Sequence, residues 1–360
     1  MKKFYLWVLV IVLLIAMTGV FAFVGCKKTV VPVEKEKLKI VFYIPATLGD
    51  KAWADDSAEG FNRAIKELNI EGKFIEGGFD ASKYESDLEQ LSKGDWDLVI
   101  TATPSIINEF TLVAQKNPDQ KYIYLDDYNT TDFSDGKFKN VVAVPFKQNE
   151  PSFLAGALSA LIIPSDMPHT NNKSILGFIG GMDVPPMKDF LVGYTQGAHY
   201  VDPKIEVIES YANTFGDPAV GKELALVQYD QGVNIIYGVA GMTGLGIIDA
   251  AKERSQYVVG VDADQAMLIK DSDPEKAKLI ITSVLKYFGD TTYKVIEMYK
   301  EGKLEFGKSM PLGLKDGAVG IAKSEIYEEI IPEKIRSQIS DLEKKIINGE
   351  IKVESAIGLQ

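Results

Sequence analysis

From Leu38 onward, short apolar, β-branched runs alternate with longer stretches in which apolar residues recur every three or four positions. The runs predict strands at Leu38–Ile44, Lys73–Glu76, Leu98–Thr101, Tyr122–Leu125 and Val141–Val144. A second series follows at Ser174–Ile179, Glu206–Tyr211, Asn234–Tyr237 and Val258–Val261, and a shorter third set at Leu279–Leu285, Met310–Leu312 and Ala318–Ile321. Between them the period is helical. Phe61, Ala64, Ile65 and Leu68 give Asp56–Leu68 a single apolar face. Asp217-Pro218 opens another helix, with aspartate as N-cap and proline at the first helical position. Phe153–Ile163 is apolar on all sides and predicts a helix buried between layers. A polar amphipathic helix, Pro332–Gly349, closes the chain. Strands alternating with helices imply parallel sheets covered on both faces, and two such series imply two doubly wound α/β lobes.

The first 37 residues stand apart from this pattern. Lys2 and Lys3 flank an uncharged run, Phe4–Val24, and Gly25-Cys26 precedes Lys27-Lys28. About 20 apolar residues are long enough to span a bilayer, and they also fit an export signal ending in a small residue. Cys26 is the only cysteine in the chain, and F23-V-G-C26 resembles a bacterial lipobox. We therefore expect a signal peptide over 1–25 and a lipid-anchored linker over 26–37, beginning at a lipidated Cys26. Either reading tethers the protein to the outer, extracytoplasmic face of a cell membrane.

Ligands of open α/β sheets bind outside the carboxyl ends of the strands, which turns the strand list into a list of candidate residues. Gly49–Trp53 follows the first strand, Asp126-Asp127 the fourth, and Ala212–Phe215 the strand Glu206–Tyr211. The loop G238-V-A-G-M-T-G-L-G246 and the segment D262-A-D-Q265 follow the next two. Trp53 and Phe215, from different lobes, offer flat faces for a heterocycle. Asp50, Asp126 and Asp262 can accept hydrogen bonds from sugar hydroxyls, and Lys286 can donate to a sugar oxygen or ring acceptor. Gly241 and Met242 lie in the glycine loop, where backbone amides can approach a ligand closely. Each residue also has a plainer role: an aromatic can pack, an aspartate can cap a helix, a glycine can serve a turn. Only their placement on one edge favours a site.

Composition narrows the class. The 360 residues suit about two domains; the net charge of −12 disfavours nucleic acid as a partner, and two histidines with one cysteine leave little for a transition-metal centre. The spacing Gly241-x-x-Gly244-x-Gly246 does not fit a dinucleotide fingerprint, and neither a P-loop nor a nucleophile elbow occurs. No cofactor is expected, and no base–nucleophile pair supports an enzyme.

Several blocks together resemble the basic membrane protein family: F178-I-G-G-M-D-V-P-P-M-K-D-F-L-V-G-Y-T-Q-G197, F215-G-D-P-A-V-G-K-E-L-A225, A240-G-M-T-G-L-G-I-I-D-A-A251, G260-V-D-A-D-Q265 and T282-S-V-L-K286. The resemblance runs in order from about Leu38 to Val353. It implies a substrate-binding lipoprotein of an ABC importer, similar to the purine nucleoside receptor, with the type I periplasmic-binding-protein fold of two lobes joined by three strands. It places aromatics at Trp53 and Phe215, acids at Asp50, Asp126 and Asp262, with Asp264 as the alternative to Asp262, and the lysine at Lys286. The implied partners are a nucleoside-like ligand and an ABC permease, with a monomer expected. The expected lobes are 38–146 with 263–309, and 147–262 with 310–331, followed by a C-terminal helix and tail over 332–360. One departure stands out: the family's D-K-S-F-N reads D50-K-A-W-A54 here. Alternatives on the same fold are a ligand sensor for a membrane receptor and a nucleoside-processing enzyme.

Overall fold

The computed structural model describes residues 37–49, 53–128, 133, 136–171 and 173–358. The expected signal peptide, Cys26 and Asp50 lie outside the described residues. Leu38–Gln360 forms one compact unit, and the following description concerns that unit.

Two six-stranded sheets form, one built on each of the first two predicted series, with later strands of the chain added to both. The first has the order β11-β5-β4-β3-β1-β2, with β1 Lys39–Ile44, β2 Glu71–Glu76, β3 Leu98–Ala102, β4 Tyr122–Leu125, β5 Val141–Val144 and β11 Lys308–Ser309. The second has the order β12-β10-β9-β8-β6-β7, with β6 Ile175–Gly180, β7 Glu206–Tyr211, β8 Ile235–Val239, β9 Tyr257–Asp262, β10 Ile280–Lys286 and β12 Val319–Ile321. All pairs are parallel except β10 with β12. The central strands β3, β4 and β8, and β1 from Ile40 onward, are buried and almost wholly apolar, as strands covered on both faces must be. The edge strands β2 and β7 instead carry Glu71, Lys73, Glu76, Glu206 and Glu209, charges that discourage edge-to-edge pairing.

The chain passes from one sheet to the other three times: after β5, after β10 and after β11. The three passages are bonded side by side. Leu312 N–H donates to Pro145 O (2.9 Å) and Lys147 N–H to Leu312 O (2.8 Å), while Tyr287 N–H donates to Ala318 O (2.9 Å). The middle passage falls at Tyr287. The stretch 263–286, expected in the first lobe, carries β10, whose residues Ser283–Leu285 pair with Gly260–Asp262 of β9 in the second sheet. A nearly continuous apolar run beside another favours that parallel partner. The expected strand Met310–Leu312 is also displaced: β11 precedes it, and Leu312 makes only an isolated bridge with Phe146.

The helices follow the predicted faces. They are α1 Trp53–Glu67, α2 Tyr84–Ser92, α3 Ile107–Lys116, α4 Asn149–Ile162, α5 Pro185–Val201, α6 Pro218–Gln231, α7 Thr243–Arg254, α8 Gln265–Ile269, α9 Pro274–Ala277, α10 Phe288–Lys300, α11 Glu325–Ile330 and α12 Glu333–Ile347. Asp217 caps α6 by accepting from Ala219 N–H at 2.9 Å, as its sequence predicts. In α4 nearly every side chain is buried. It lies against α5 with backbones touching: a β-carbon at Gly156, Gly193 or Gly197 would fall on the carbonyl oxygen of Tyr194, Asn149 or Phe153 respectively. The same device joins α1 to α10, where Gly60 meets Gly289. Ile335, Ile339, Leu342 and Ile346 are the buried stripe of α12. Beyond it the C-terminal residues run as a strap held to α4 and α5. Asn149 Nδ2 donates to Glu354 O at 2.9 Å, and Gln196 both donates to Lys352 O (3.0 Å) and accepts from Glu354 N–H (2.8 Å).

Candidate ligand-binding site

Strained backbone marks the carboxyl edges of both sheets. Seven described residues other than glycine have positive φ. Asn69, His169 and Ser255 lie elsewhere; Thr103, Asp126, Asn213 and Asp262 have φ of 75°, 58°, 56° and 65°. They stand at or just past the ends of β3, β4, β7 and β9. Asp and Asn enter this left-handed region more readily than other side-chain-bearing residues. The turns swing the chain away from each strand and leave the sheet edge open, and such strain gathers where a ligand is handled.

Lys286 is the last residue of β10, in the second sheet. Its ammonium lies 2.9 Å from Asp126 Oδ1, from the loop after β4 in the first sheet, and the two side chains are only 3% and 7% exposed. The other carboxylate oxygen of Asp126 accepts from the Tyr128 hydroxyl at 3.2 Å. Burial, together with the charges of Asp126 and Asp262, pushes the Tyr128 phenol well above its ordinary value, so it remains a donor at neutral pH. The ammonium also faces the rings of Tyr128 (5.2 Å), Phe190 (5.2 Å) and Phe146 (5.8 Å), within cation–π range. Thus a charged pair that joins the two sheets is caged by aromatic faces from three separate parts of the chain.

A cavity of about 420 Å³ opens beside this pair, with Trp53, Asp55, Asp56, Asp262, Asp264 and Lys286 among its walls. Trp53 opens α1, and its ring leans on Phe288 (centroids 5.8 Å apart), which in turn packs on Phe146 (4.9 Å). Asp55 accepts from Gly49 N–H (2.8 Å), and Asp264 caps α8 by accepting from Met267 N–H (3.2 Å). Asp56 accepts from Gly289 N–H at 2.8 Å, fixing the start of α10 just beyond Lys286.

Burial raises the Asp56 carboxyl above its ordinary value, with the neighbouring Asp290 and Glu59 charges adding to the shift; the Gly289 hydrogen bond and Arg63 act against it. A carboxyl raised on folding contributes stability at low pH that is lost as pH rises through its folded value. Asp56→Asn keeps an acceptor for Gly289. It should be more stable than the wild type at pH 7, with an advantage that shrinks as the solution is acidified. Urea unfolding between pH 4 and 8 measures this; an advantage independent of pH would exclude the ionised carboxyl as its source.

The structure brings Trp53, Asp262 and Lys286 to one cavity wall, with Asp126 bonded behind Lys286. Phe215, Gly241 and Met242 gather elsewhere, at the carboxyl ends of β7 and β8, and do not line that cavity. Thr243 N–H donates to Phe215 O at 3.1 Å, stitching the two loops together. Phe215 and Met242 are 45% and 62% exposed, so they present free apolar surface on the second sheet's edge. Ala54, the departure in the first loop, is wholly buried in the core. A polar group there would face apolar neighbours rather than the cavity, whereas Asp55 and Asp56 stand on its wall. Sequence reasoning missed Tyr128 and Phe190. The first has a signal, an aromatic two residues after Asp126 on the same loop. Phe190 has none, because α5 reaches Lys286 only through the tertiary fold.

Two doubly wound sheets joined by three passages, with a cavity at their carboxyl edges, are the architecture of type I solute-binding proteins. A solute-binding protein of an ABC transporter system from Aeropyrum pernix K1 superposes with a TM-score of 0.72 at 27% identity, covering 88% of this chain and 92% of its own. The fold recurs at 17% identity in a solute-binding protein from Conexibacter woesei, with a TM-score of 0.66. The chain belongs to the family of PnrA-like ABC transporter substrate-binding proteins, whose model matches residues 37–356. Basic membrane protein B of Borreliella burgdorferi is 32% identical over 330 residues, 88% of this chain and 87% of that protein. Basic membrane protein A of the same organism is 30% identical over 320 residues, 88% of each chain. The family read from the sequence blocks is therefore the family found.

Proposed function

We propose that the protein captures a nucleoside between its two sheets and delivers it to an ABC permease. The observation that carries this reading is the meeting of Trp53, from the first lobe, with Asp262 and Lys286, from the second, on one cavity wall. An indole offers a stacking face for a base, and the carboxylates and ammonium offer acceptors and donors for ribose hydroxyls. Phe215 would then supply the opposing aromatic face once the second edge swings over the first, with Gly241 and Met242 beside it. Hinged closure of this kind is selected by a ligand that bonds both halves. Asp50, Asp126 and Asp262 are assigned to the sugar, and purines are the first bases to test. The protein is assigned to the outer face of the membrane, held by lipid on Cys26.

Titration calorimetry with purine and pyrimidine nucleosides should find a ligand, and the same compound should raise the melting temperature by mass action. A flat response to the whole panel in both assays would reject a nucleoside ligand. Trp53→Ala should weaken binding by about tenfold, equivalent to about 1.4 kcal/mol. If stability falls while affinity holds, Trp53 serves packing alone. Cys26→Ala should abolish incorporation of a fatty-acid probe and release the protein from membranes.

A further inference from the structure

Phe215 stands in the open at the second sheet's edge, yet its ring has a definite seat. A β-carbon built at Gly181 would lie 2.2, 2.3 and 3.0 Å from three consecutive carbons of that ring, Cε1, Cδ1 and Cζ. Gly181 follows the last residue of β6, and both of its backbone groups are engaged. Its N–H donates to Val239 O at 2.9 Å, and its carbonyl accepts from Thr214 N–H at 2.9 Å. On the other side, Thr243 N–H holds the Phe215 carbonyl, and Thr243 Oγ1 donates to Thr214 O at 3.2 Å. The backbone is pinned on both sides of the contact, so only the ring can move. Gly180, one residue earlier, makes room for a different ring: a β-carbon there would come within 2.9 Å of Tyr211, which packs on Phe178 with centroids 6.4 Å apart. Gly180 thus admits a ring towards the core, and Gly181 admits one at the open edge. Gly181 does not have a positive φ, so a left-handed backbone is not the reason for glycine there. The space taken by the ring is.

We propose that Gly181 is a positioning residue for Phe215: its missing side chain lets the ring lie against the end of β6, from where the ring's open side can cover a heterocycle. A methyl group at 181 would turn the ring about χ1 towards solvent, because neither backbone can yield. The ring is already 45% exposed, so turning it out forfeits little packing. Stacking, by contrast, needs the ring in one place and one orientation. Affinity should therefore respond to position 181 far more than stability does. This is the reverse of Gly60, where a β-carbon would strike backbone. The inference rests on the reading of Phe215 as the second aromatic wall of the ligand site.

The test is a double-mutant cycle with Gly181→Ala, Phe215→Ala and the combined variant, read by calorimetry with inosine and adenosine and by urea unfolding. Gly181→Ala is expected to weaken nucleoside binding about tenfold, with a smaller rise, about threefold, in the unfolding constant. Both effects should vanish in the Phe215→Ala background, where no ring meets the new methyl group. Unchanged affinity, or an equal loss of affinity with and without Phe215, would overturn the proposal and leave Gly181 as a residue of the sheet edge alone. Failure of Gly181→Ala to fold would overturn it too, since a ring free to turn aside cannot unseat the sheet. If the wild type binds no nucleoside, the functional reading falls, and the unfolding arm decides this one. A stability cost present only with Phe215 supports the seating of the ring by Gly181; an equal cost, or none, in both backgrounds overturns it.

Discussion

Lys286→Met will lower the unfolding free energy by about 3–5 kcal/mol, the usual result of removing one partner from a buried ion pair. The substitution deletes the ammonium but leaves the Asp126 carboxylate 7% exposed, with the Tyr128 hydroxyl as its remaining described side-chain donor. Methionine fills much of the stem's volume, so the loss will report charge more than packing. Pairing it with Asp126→Asn should recover much of the stability, because the neutral amide leaves no buried charge unpaired and still tolerates the left-handed backbone at that position. The double variant should nevertheless bind no nucleoside. Stability and affinity would then separate at one position, showing that the pair is kept for the ligand. A loss below about 1 kcal/mol for Lys286→Met would place the pair among solvated surface bridges.

The second large effect is expected at Gly60, far from any charge. An alanine β-carbon there would fall on the carbonyl oxygen of Gly289. Both partners are backbone, so neither can rotate away, and α1 and α10 must separate. Overpacking of this kind costs about 1–3 kcal/mol or more. The separation would also draw Gly289 from Asp56, and with it the start of the helix that follows Lys286. Gly60→Ala should therefore lose ligand affinity as well as stability. Gly244 is the control: no atom lies within 4 Å of a β-carbon built there, and it sits in the first turn of α7. Gly244→Ala should stabilise by about 0.5–1 kcal/mol, the ordinary gain of alanine over glycine in a helix. Urea denaturation of both variants checks the opposite signs.

Periodicity located nearly all of this fold, because burial on both faces leaves an unmistakable apolar run. Tyr122–Leu125, Val141–Val144 and Glu206–Tyr211 fall on the observed bounds. The passage between lobes was misplaced at 262/263 because a run such as Ile280–Leu285 records its burial and not its neighbour. Pairing with β9 depends on sheet order, which no local pattern encodes. In the site, the rule that ligands meet the carboxyl ends of strands brought Trp53, Asp126, Asp262 and Lys286 into consideration. It could not show that Lys286 and Asp126 bond to each other across 160 residues, or that the Phe190 ring faces the ammonium. The first contact depends on how the two sheets meet, and the second is made by a helix whose apolar face advertises packing alone. The first loop misled in a different way: Ala54 drew attention as a lost polar contact, yet its side chain belongs to the core.

The interleaving of the two sheets bears on how the chain must be assembled as it is made. The first sheet takes its outermost strand from Lys308–Ser309, and α1 receives its covering helix from Phe288–Lys300. Both emerge from the ribosome only after the whole of β6–β10 has been synthesised. Until then the free edge of β5 and the flank of α1 around Gly60 have no cover. The first half cannot finish before the second, and a nascent chain halted near residue 280 should be the form most exposed to proteases and most in need of a holding chaperone.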